Sequence, residues 1–496
     1  MRTIDLAPLP LSDLESHLDE VAVRRLRGGV DAAHGLLGGR TIWTVTPSAV
    51  AGSGPAEIVA PLVGYARGLG IDARWLTLDA PAEFLTISSR LHAAMHGDRG
   101  DGGRLADKQR DIYEHVLASN ADNVVDEVRE NDVVILHDPP TAGLAKAFKR
   151  AGAVVIWRCH VGAAHTGEEG QRAWAFLDRY LEDVDLVVAS RPEYLPPYIE
   201  EARCSILTPS INPDSPKNRV LDLDESWSVA RLSGFFDGQA PFEAVPFIRE
   251  DGRPDAFRGL KDDGADAGFG APVPQGARIV TQVQRWDRLK GGLELVEAFA
   301  SQIDALPADA HLVLVGPRPD PSREAAAARV LGEIVSRAGT LPHTAARRIH
   351  VLAVPTTDRE VNATIINAIQ RISAVVTQRS LVEAFGLTVA EAMWKKAPVV
   401  ASAVGGIQDQ VEDGVSGMLV DPLDAPAWAE AVRDLLLFTE RAAEMGDAAH
   451  EAVRRRFLPD RYILHAGHTP TTTTHGWKRG QMASGFSSEH ASRSLS

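Results

Sequence analysis

Two glutamates, Glu383 and Glu391, bracket the segment EAFGLTVAE, which lies between a strand-like apolar run, ISAVVTQ, and a run of helical period starting near Gly386. A helix start leaves backbone N–H groups unpaired and carries the positive end of the helix dipole, so this junction favours a phosphate. Gly386 lets that phosphate approach closely. Glu383 then sits in the loop at the strand's end, near a sugar carried on the phosphate. Glu391 lies in the second turn, where a carboxylate can accept two ribose hydroxyls. Spacing alone is equally compatible with an ordinary loop and a surface helix bearing exposed glutamates. A second signal, QRWDRLKG at 284–291, directly follows the run ARIVTQV. A diphosphate that leaves a sugar without a metal must be stabilised by side-chain cations, because the charge developing there dominates the electrostatics. Arg285 and Lys290 are the candidates, although an isolated loop Arg or Lys is more often a solvated surface charge.

Weaker signals come from the first half of the chain. Gly52-Ser53-Gly54-Pro55-Ala56-Glu57 forms a glycine loop between a strand and its helix, and many such turns carry glycines only for tight packing. His137-Asp138 closes one strand-like run, and Trp157-Arg158-Cys159-His160 closes the next. A lone strand-end histidine is usually structural, but these two point into the cleft derived below. The triplets Asp183/Asp185 and Asp222/Asp224 have the form of a metal-diphosphate site. The first lies at a helix–strand join and the second in irregular sequence, so both read as surface acids.

Residues at strand ends need a sheet to present them. TIWTV, ARWLTL, DVVILHD, AVVIWRCHV, VDLVVAS and CSILTPS read as strands covered on both faces, with helices at 56–69, 83–95, 105–128 and 171–181 between them. That alternation is the mark of a doubly wound parallel sheet. A second series contains ARIVTQV, HLVLVGP, RIHVLAV, ISAVVTQ, APVVASA and GMLVD, with helices near 292–303, 322–338, 358–371, 387–395 and 425–439. The fold class is therefore α/β, with two Rossmann-like domains in tandem. Ligands of open α/β sheets bind beyond the carboxyl ends of the strands, so the site belongs in the interdomain cleft. The expected organisation is a first domain over 1–215, a linker or insertion over 216–275, a second domain over 276–464, with a donor held by one domain and an acceptor by the other, and a disordered Thr/Ser/Gly/His tail over 465–496. Ser12 and Glu15 have the capping-box form, predicting one amphipathic helix through Leu14, Leu18, Val21 and Leu26 that packs on the first domain.

The 496 residues allow two cores, and 44% hydrophobic with 24% charged residues is the balance of an ordinary globular chain. A formal charge of −15 opposes broad association with nucleic acid or anionic membrane. Two cysteines, Cys159 and Cys204, exclude a disulfide framework. No apolar run approaches the roughly 20 residues of a membrane span, and the N-terminus lacks the pattern of a signal peptide, so the expected location is cytoplasmic.

The segment around Glu383, continuing EAMWKKAPVVASAVGGIQDQVEDGVSGMLVDP, resembles the retaining GT-B glycosyltransferases that include glycogen, sucrose and trehalose synthases. HDPPTAGLAKAFK, WRCHVG, SRPEYLPPYI and TPSINPDSPKN narrow the likeness to trehalose synthases of the glucosyl-transferring type, over about Trp43 to Ile463 apart from 219–275. The resemblance implies that Glu383 holds the donor sugar and Glu391 the ribose, with Gly386, Leu387, Gly405 and Gly406 completing the donor site. It implies that Arg285 and Lys290 contact the diphosphate and that His160 lies near the donor sugar. It further implies that the first domain takes the acceptor and the second the donor, and that Gly52, Ser53, Gly54, Glu57, His137, Asp138 and Arg158 belong to the acceptor site or to the loop that closes over the substrates. Ser53 and Pro55 depart from the run of glycines that the family tends to carry. The implied reaction joins NDP-glucose to free glucose, with no metal and no cofactor required. A retaining trehalose phosphorylase using glucose 1-phosphate, or a non-catalytic sugar-nucleotide-binding homologue, are the alternatives. Neither the nucleobase nor the oligomeric state follows from the sequence, and a homodimer stays open.

Overall fold

The computed structural model describes residues 1–49, 54–196, 198–260, 268–322 and 324–466, with side chains through Ile463. β-Branched apolar runs need cover on both faces, and they form two sheets. The first contains β1 (Arg2–Ile4), β2 (Ile42–Thr46), β3 (Ala73–Thr77), β4 (Val133–His137), β5 (Val154–Arg158), β6 (Leu186–Ala189) and β7 (Cys204–Ile206). The chain order is β1-β3-β2-β4-β5-β6-β7, parallel except for β1, an antiparallel edge strand that the sequence pattern did not reveal. Trp43 stands opposite Val134, and Val45 opposite Leu136. One face packs Trp43, Val45 and Leu136 against Phe84, Leu91, Tyr113, Phe148 and Phe176 of the covering helices. A fully buried side chain of this size contributes about 1.5–3 kcal/mol.

After β8 (Val245–Ile248) and β9 (Pro254–Phe257), an antiparallel hairpin, comes the second sheet: β10 (Arg278–Val283), β11 (Ala310–Pro317), β12 (Ile349–Val354), β13 (Val375–Gln378), β14 (Val399–Ser402) and β15 (Met418–Val420). Its order is β12-β11-β10-β13-β14-β15, all parallel. In both sheets the strand order reverses beside the domain's first parallel strand, between β2 and β4 and between β10 and β13. Loops diverge there and open a crevice at the carboxyl edge.

The described residues of 216–275, a segment expected as a linker or insertion of little periodicity, are built into the second domain. Asp222 caps helix Leu223–Leu232, accepting from the Glu225 N–H at 2.7 Å while Glu225 returns the bond to the Asp222 N–H at 3.0 Å. Val229, Phe235, Phe247 and Phe257 bury against Ile279, Val313, Leu352 and Ile365. Arg249 ties the hairpin to Asp358, the cap of helix Arg359–Ile372, at 2.7 Å.

The N-terminal expectation is corrected: two helices form, Leu11–Ser16 and Glu20–Leu37, and Ser12 caps neither. Asp19 interrupts the run because its carboxylate accepts from both Val21 and Ala22 N–H groups, at 3.0 and 2.8 Å, while Glu15 turns to Arg27. Leu14, Leu26 and Val30 do not pack on the first domain alone; they share a core with Val389, Met393, Val453 and Leu458. Helix Ala425–Leu437 packs in the second domain's own core, while Thr439–Arg456 and Asp460–Ala466 complete the shared core and return the chain to the first domain. The expected disordered tail lies, beyond Ala466, outside the described residues.

Candidate active site

Arg285 and Lys290 lie in the loop that follows β10. Asp287 turns that loop by accepting from the Leu289 N–H at 3.0 Å, and Gly291 leaves it at φ +65, where an added Cβ would lie 2.1 Å from the Arg379 carbonyl oxygen. Glu383 lies in the loop after β13. The two loops are braced together by Gln282, fully buried, whose Oε1 accepts from the Arg379 N–H at 2.7 Å and whose Nε2 donates to the Lys290 carbonyl at 2.9 Å. Leu381 N–H adds a bond to the Leu289 carbonyl at 2.8 Å. This brace brings Lys290 Nζ to 2.5 Å from Glu383 Oε2, the oxygen that also accepts from Ser380 Oγ at 3.1 Å.

Gly386, at φ +89, precedes helix Leu387–Trp394, whose start has no side-chain cap and so keeps its N–H dipoles for an anion. Gly405 and Gly406 press on the same loop: an added Cβ would stand 1.8 Å from the Glu383 carbonyl oxygen and 2.5 Å from that of Ala384. Only glycine allows this approach, and at Gly405 the φ of +47 also favours it. Leu387 is the first residue of the helix, half-buried. Arg285 is half exposed and reaches Asp287 at 3.9 Å.

Across the crevice, His137 Nδ1 and His160 Nε2 share a hydrogen at 2.8 Å with their rings nearly coplanar. Two imidazolium rings would oppose one another there. Burial, reinforced by Arg158, pushes His137 down to about 3, and the same causes together with His137 hold His160 well below its ordinary value. Both rings are therefore neutral hydrogen-bonding groups near pH 7. Their other nitrogens, His137 Nε2 and His160 Nδ1, are buried without a protein partner, which marks polar groups that await a ligand or water.

Asp138 holds this corner in a strained backbone, φ +64, and accepts from the His160 N–H at 2.7 Å. Burial pushes its carboxyl up to about 7, opposed by that bond and by the cations Arg158 and Arg285; the last belongs to the opposite domain.

Arg158 is the strand partner of His137, while Glu57 lies toward Glu391. Arg158 is buried and bonds Ser190 Oγ, the Leu207 carbonyl and Tyr462 Oη, anchoring the C-terminal helix. Glu57, in the first turn of helix Gly54–Gly68, pairs with Lys217 at 3.1 Å, and Lys217 reaches Glu391 at 3.0 Å. Gly54 opens that helix, whereas Gly52 and Ser53 lie outside the described residues. The acids Asp185 and Asp222 hold local structure, Asp185 through Lys149 at 2.5 Å and the Val155 N–H at 2.9 Å.

Sequence reasoning missed His92 and His96. They sit one turn apart near the end of helix Ala82–Met95, rings 4.6 Å apart, with His96 Nδ1 2.8 Å from the His92 carbonyl. Burial, then His96 and the cations Arg285 and Lys290, keeps His92 well below its ordinary value. A histidine pair at i, i+4 was a usable signal. Gln282 and Lys217 were also missed, and no local pattern flags either one. Among the described residues no cluster of three His, Cys, Asp or Glu could hold a metal ion, and no helix is long and apolar enough to cross a membrane.

Residues 45–196 match the family model described as trehalose synthase, N-terminal domain, and residues 269–452 match that of glycosyl transferases group 1. The chain is 30% identical over 455 residues to a trehalose synthase of Pyrococcus horikoshii, spanning 91% of this chain and 94% of that protein. A trehalose synthase of Rubrobacter xylanophilus is 30% identical over 443 residues, 89% of this chain and 92% of that one. Among solved structures, an α,α-trehalose-phosphate synthase (UDP-forming) from Burkholderia vietnamiensis superposes with a TM-score of 0.62 at 14% identity, covering 88% of this chain and 98% of that one. A sucrose-phosphate synthase from Thermosynechococcus elongatus gives 0.57 at 20% identity, covering 86% and 98%. The structural likeness shows the fold, two Rossmann-like domains in the GT-B arrangement.

Proposed function

Because the chain belongs to the trehalose synthase family of glycosyltransferases, we propose that it transfers glucose from an NDP-glucose to free glucose, with retention, to form trehalose. The observation that carries this reading is the braced pair of loops at the carboxyl edge of the second sheet. They gather Lys290, Glu383 and an uncapped helix start in one place, with Arg285 close enough to act on Asp138 across the crevice.

In the proposed step the bond from the glucose anomeric carbon to the diphosphate oxygen breaks, and that oxygen takes the proton of the incoming hydroxyl. The new C–O bond forms on the face the diphosphate leaves. Arg285, Lys290 and the helix start behind Gly386 stabilise the departing charge. Such preorganised cations and dipoles neutralise it without a resident cofactor. Glu383 orients the donor sugar and Glu391 the ribose. The neutral rings of His137 and His160 offer their unpartnered nitrogens to sugar hydroxyls, which suits a site that rejects acceptors lacking those hydroxyls.

The test is incubation with UDP-, ADP- and GDP-glucose, each with glucose, glucose 6-phosphate or no acceptor, and in parallel with glucose 1-phosphate plus glucose. NMR of the anomeric protons reads the product. The α,α-linked disaccharide from a nucleotide donor and free glucose is expected. Transfer only to glucose 6-phosphate, or synthesis only from glucose 1-phosphate, refutes the assigned substrates, and a β linkage refutes retention.

A further inference from the structure

Glu391 is only 3% exposed, and its Oε2 has no protein partner. Its Oε1 meets Lys217 Nζ at 3.0 Å, and the same ammonium lies 3.1 and 3.2 Å from the two oxygens of Glu57. Lys217 reaches this point on a turn fixed from outside. Asn367, fully buried on helix Arg359–Ile372, donates to the carbonyls of Pro216 and Arg219 at 3.1 and 2.9 Å, and Arg371 donates to that of Asn218 at 3.2 Å. Asn218 in turn accepts from Lys395 Nζ at 2.9 Å. A chain segment held by four such bonds at an interdomain crossing is a positioning device rather than a solvated cation.

We propose that Lys217 is a positioning residue for donor ribose: it holds Glu391 through Oε1, leaves Oε2 to receive ribose hydroxyls, and ties that carboxylate to Glu57 of the first domain. The proposal rests on the reading of Glu391 as the ribose acid. Burial pushes the Glu391 carboxyl up, and Lys217 opposes that shift. Lys217 itself is disfavoured by burial, yet Glu391 and Glu57 outweigh this and keep it well above its ordinary value. The groups facing Glu391 are thus Lys217, Glu57 and, at its own helix end, Lys395, whose ammonium burial holds well below its ordinary value. Without Lys217, little opposes protonation of Glu391 as pH falls.

The experiment measures binding of a nucleoside diphosphate and its 2′-deoxy analogue by titration calorimetry from pH 5.5 to 8.5, together with donor KM and kcat. Wild type, Lys217→Met, Lys217→Arg and Glu57→Gln are compared, each with its melting temperature. Lys217→Met should weaken the ribonucleotide about tenfold to hundredfold, the worth of a hydrogen bond to a charged group. The loss should deepen toward low pH, and Lys217→Arg should restore most of the affinity. Glu57→Gln should weaken the same ligand by about threefold to tenfold through the loss of its pair with Lys217. It also serves if Lys217→Met does not fold. A Lys217→Met protein that is merely less stable, with unchanged affinity and a flat pH profile, overturns the proposal, as does unchanged affinity in Glu57→Gln. Wild type that binds the 2′-deoxy analogue equally well overturns the ribose role of Glu391 itself, and the inference falls with it.

Discussion

Arg285 and Lys290 are assigned one task but stand in different surroundings, so replacing each with alanine separates catalysis from stability. The Arg285 side chain is 50% exposed and meets Asp287 only at 3.9 Å, a kind of pair worth about 0–1 kcal/mol. Lys290 lies 2.5 Å from Glu383, with side-chain exposures of 17% and 9%. Its removal leaves the Ser380 hydroxyl, at 3.1 Å, as the remaining partner of Glu383 Oε2. Breaking a fully buried pair costs about 3–5 kcal/mol, and partial access of water to this one reduces the figure to about 1–3 kcal/mol. At about 2–4 °C per kcal/mol for a domain of this size, Lys290→Ala should lower Tm by roughly 2–12 °C. Arg285→Ala should lower it by less than about 4 °C. Both should reduce kcat on the order of 100- to 1000-fold, since loss of one stabiliser of developing negative charge costs about 3–4 kcal/mol of barrier. Scanning fluorimetry and initial rates of nucleoside diphosphate release give the two readouts. Turnover of Arg285→Ala within about threefold of wild type would refute its role at the diphosphate. A Lys290→Ala melting temperature equal to wild type would refute the energetic account of its pair.

Burial raises Asp138 from 3.8 to about 7, so its contribution to stability is complete below about pH 4 and is lost as pH rises through about 7. Urea midpoints of Asp138→Asn should therefore gain on wild type across that window, and a constant difference would contradict the assignment. His137 has the opposite sign: lowered from 6.5 to about 3, it contributes stability present above about pH 6.5 and lost as pH falls toward 3. His137→Asn should flatten that acid limb, and an unchanged slope would remove the case for a buried neutral ring. Gly405→Ala would set a Cβ 1.8 Å from the Glu383 carbonyl and 2.8 Å from Tyr194 Oη. Donor binding by calorimetry should fall at least about tenfold, and a crystal structure of the variant with the Glu383 loop unmoved would show the contact to be misread.

The alternation of apolar runs and helical periods was legible through the parallel strands of both sheets because both periods are local properties of covered strands and amphipathic helices. It carried the two-sheet fold and the strand-end positions of Arg285, Lys290, Glu383 and His160. The junction at Gly386 was legible for the same reason, since a strand, a glycine and a helix follow one another within a few residues. The break at Asp19 was not, because a capping box at Ser12 and a cap at Asp19 compete locally and the shared core with Val453 and Leu458 decides between them. The 216–275 segment hid its helix and hairpin because its apolar residues complete a face of the second sheet rather than a core of their own.

Sequence by itself determined which residues stand at strand ends and helix starts, and hence which could meet a phosphate. The tertiary structure alone decided their partners. Lys290 and Glu383 are separated by 93 residues, Glu57 and Lys217 by 160, and Arg158 and Tyr462 by 304. An ion pair or hydrogen bond across such distances leaves no periodic trace, because it depends on where two sheets and a crossover bring side chains together in space.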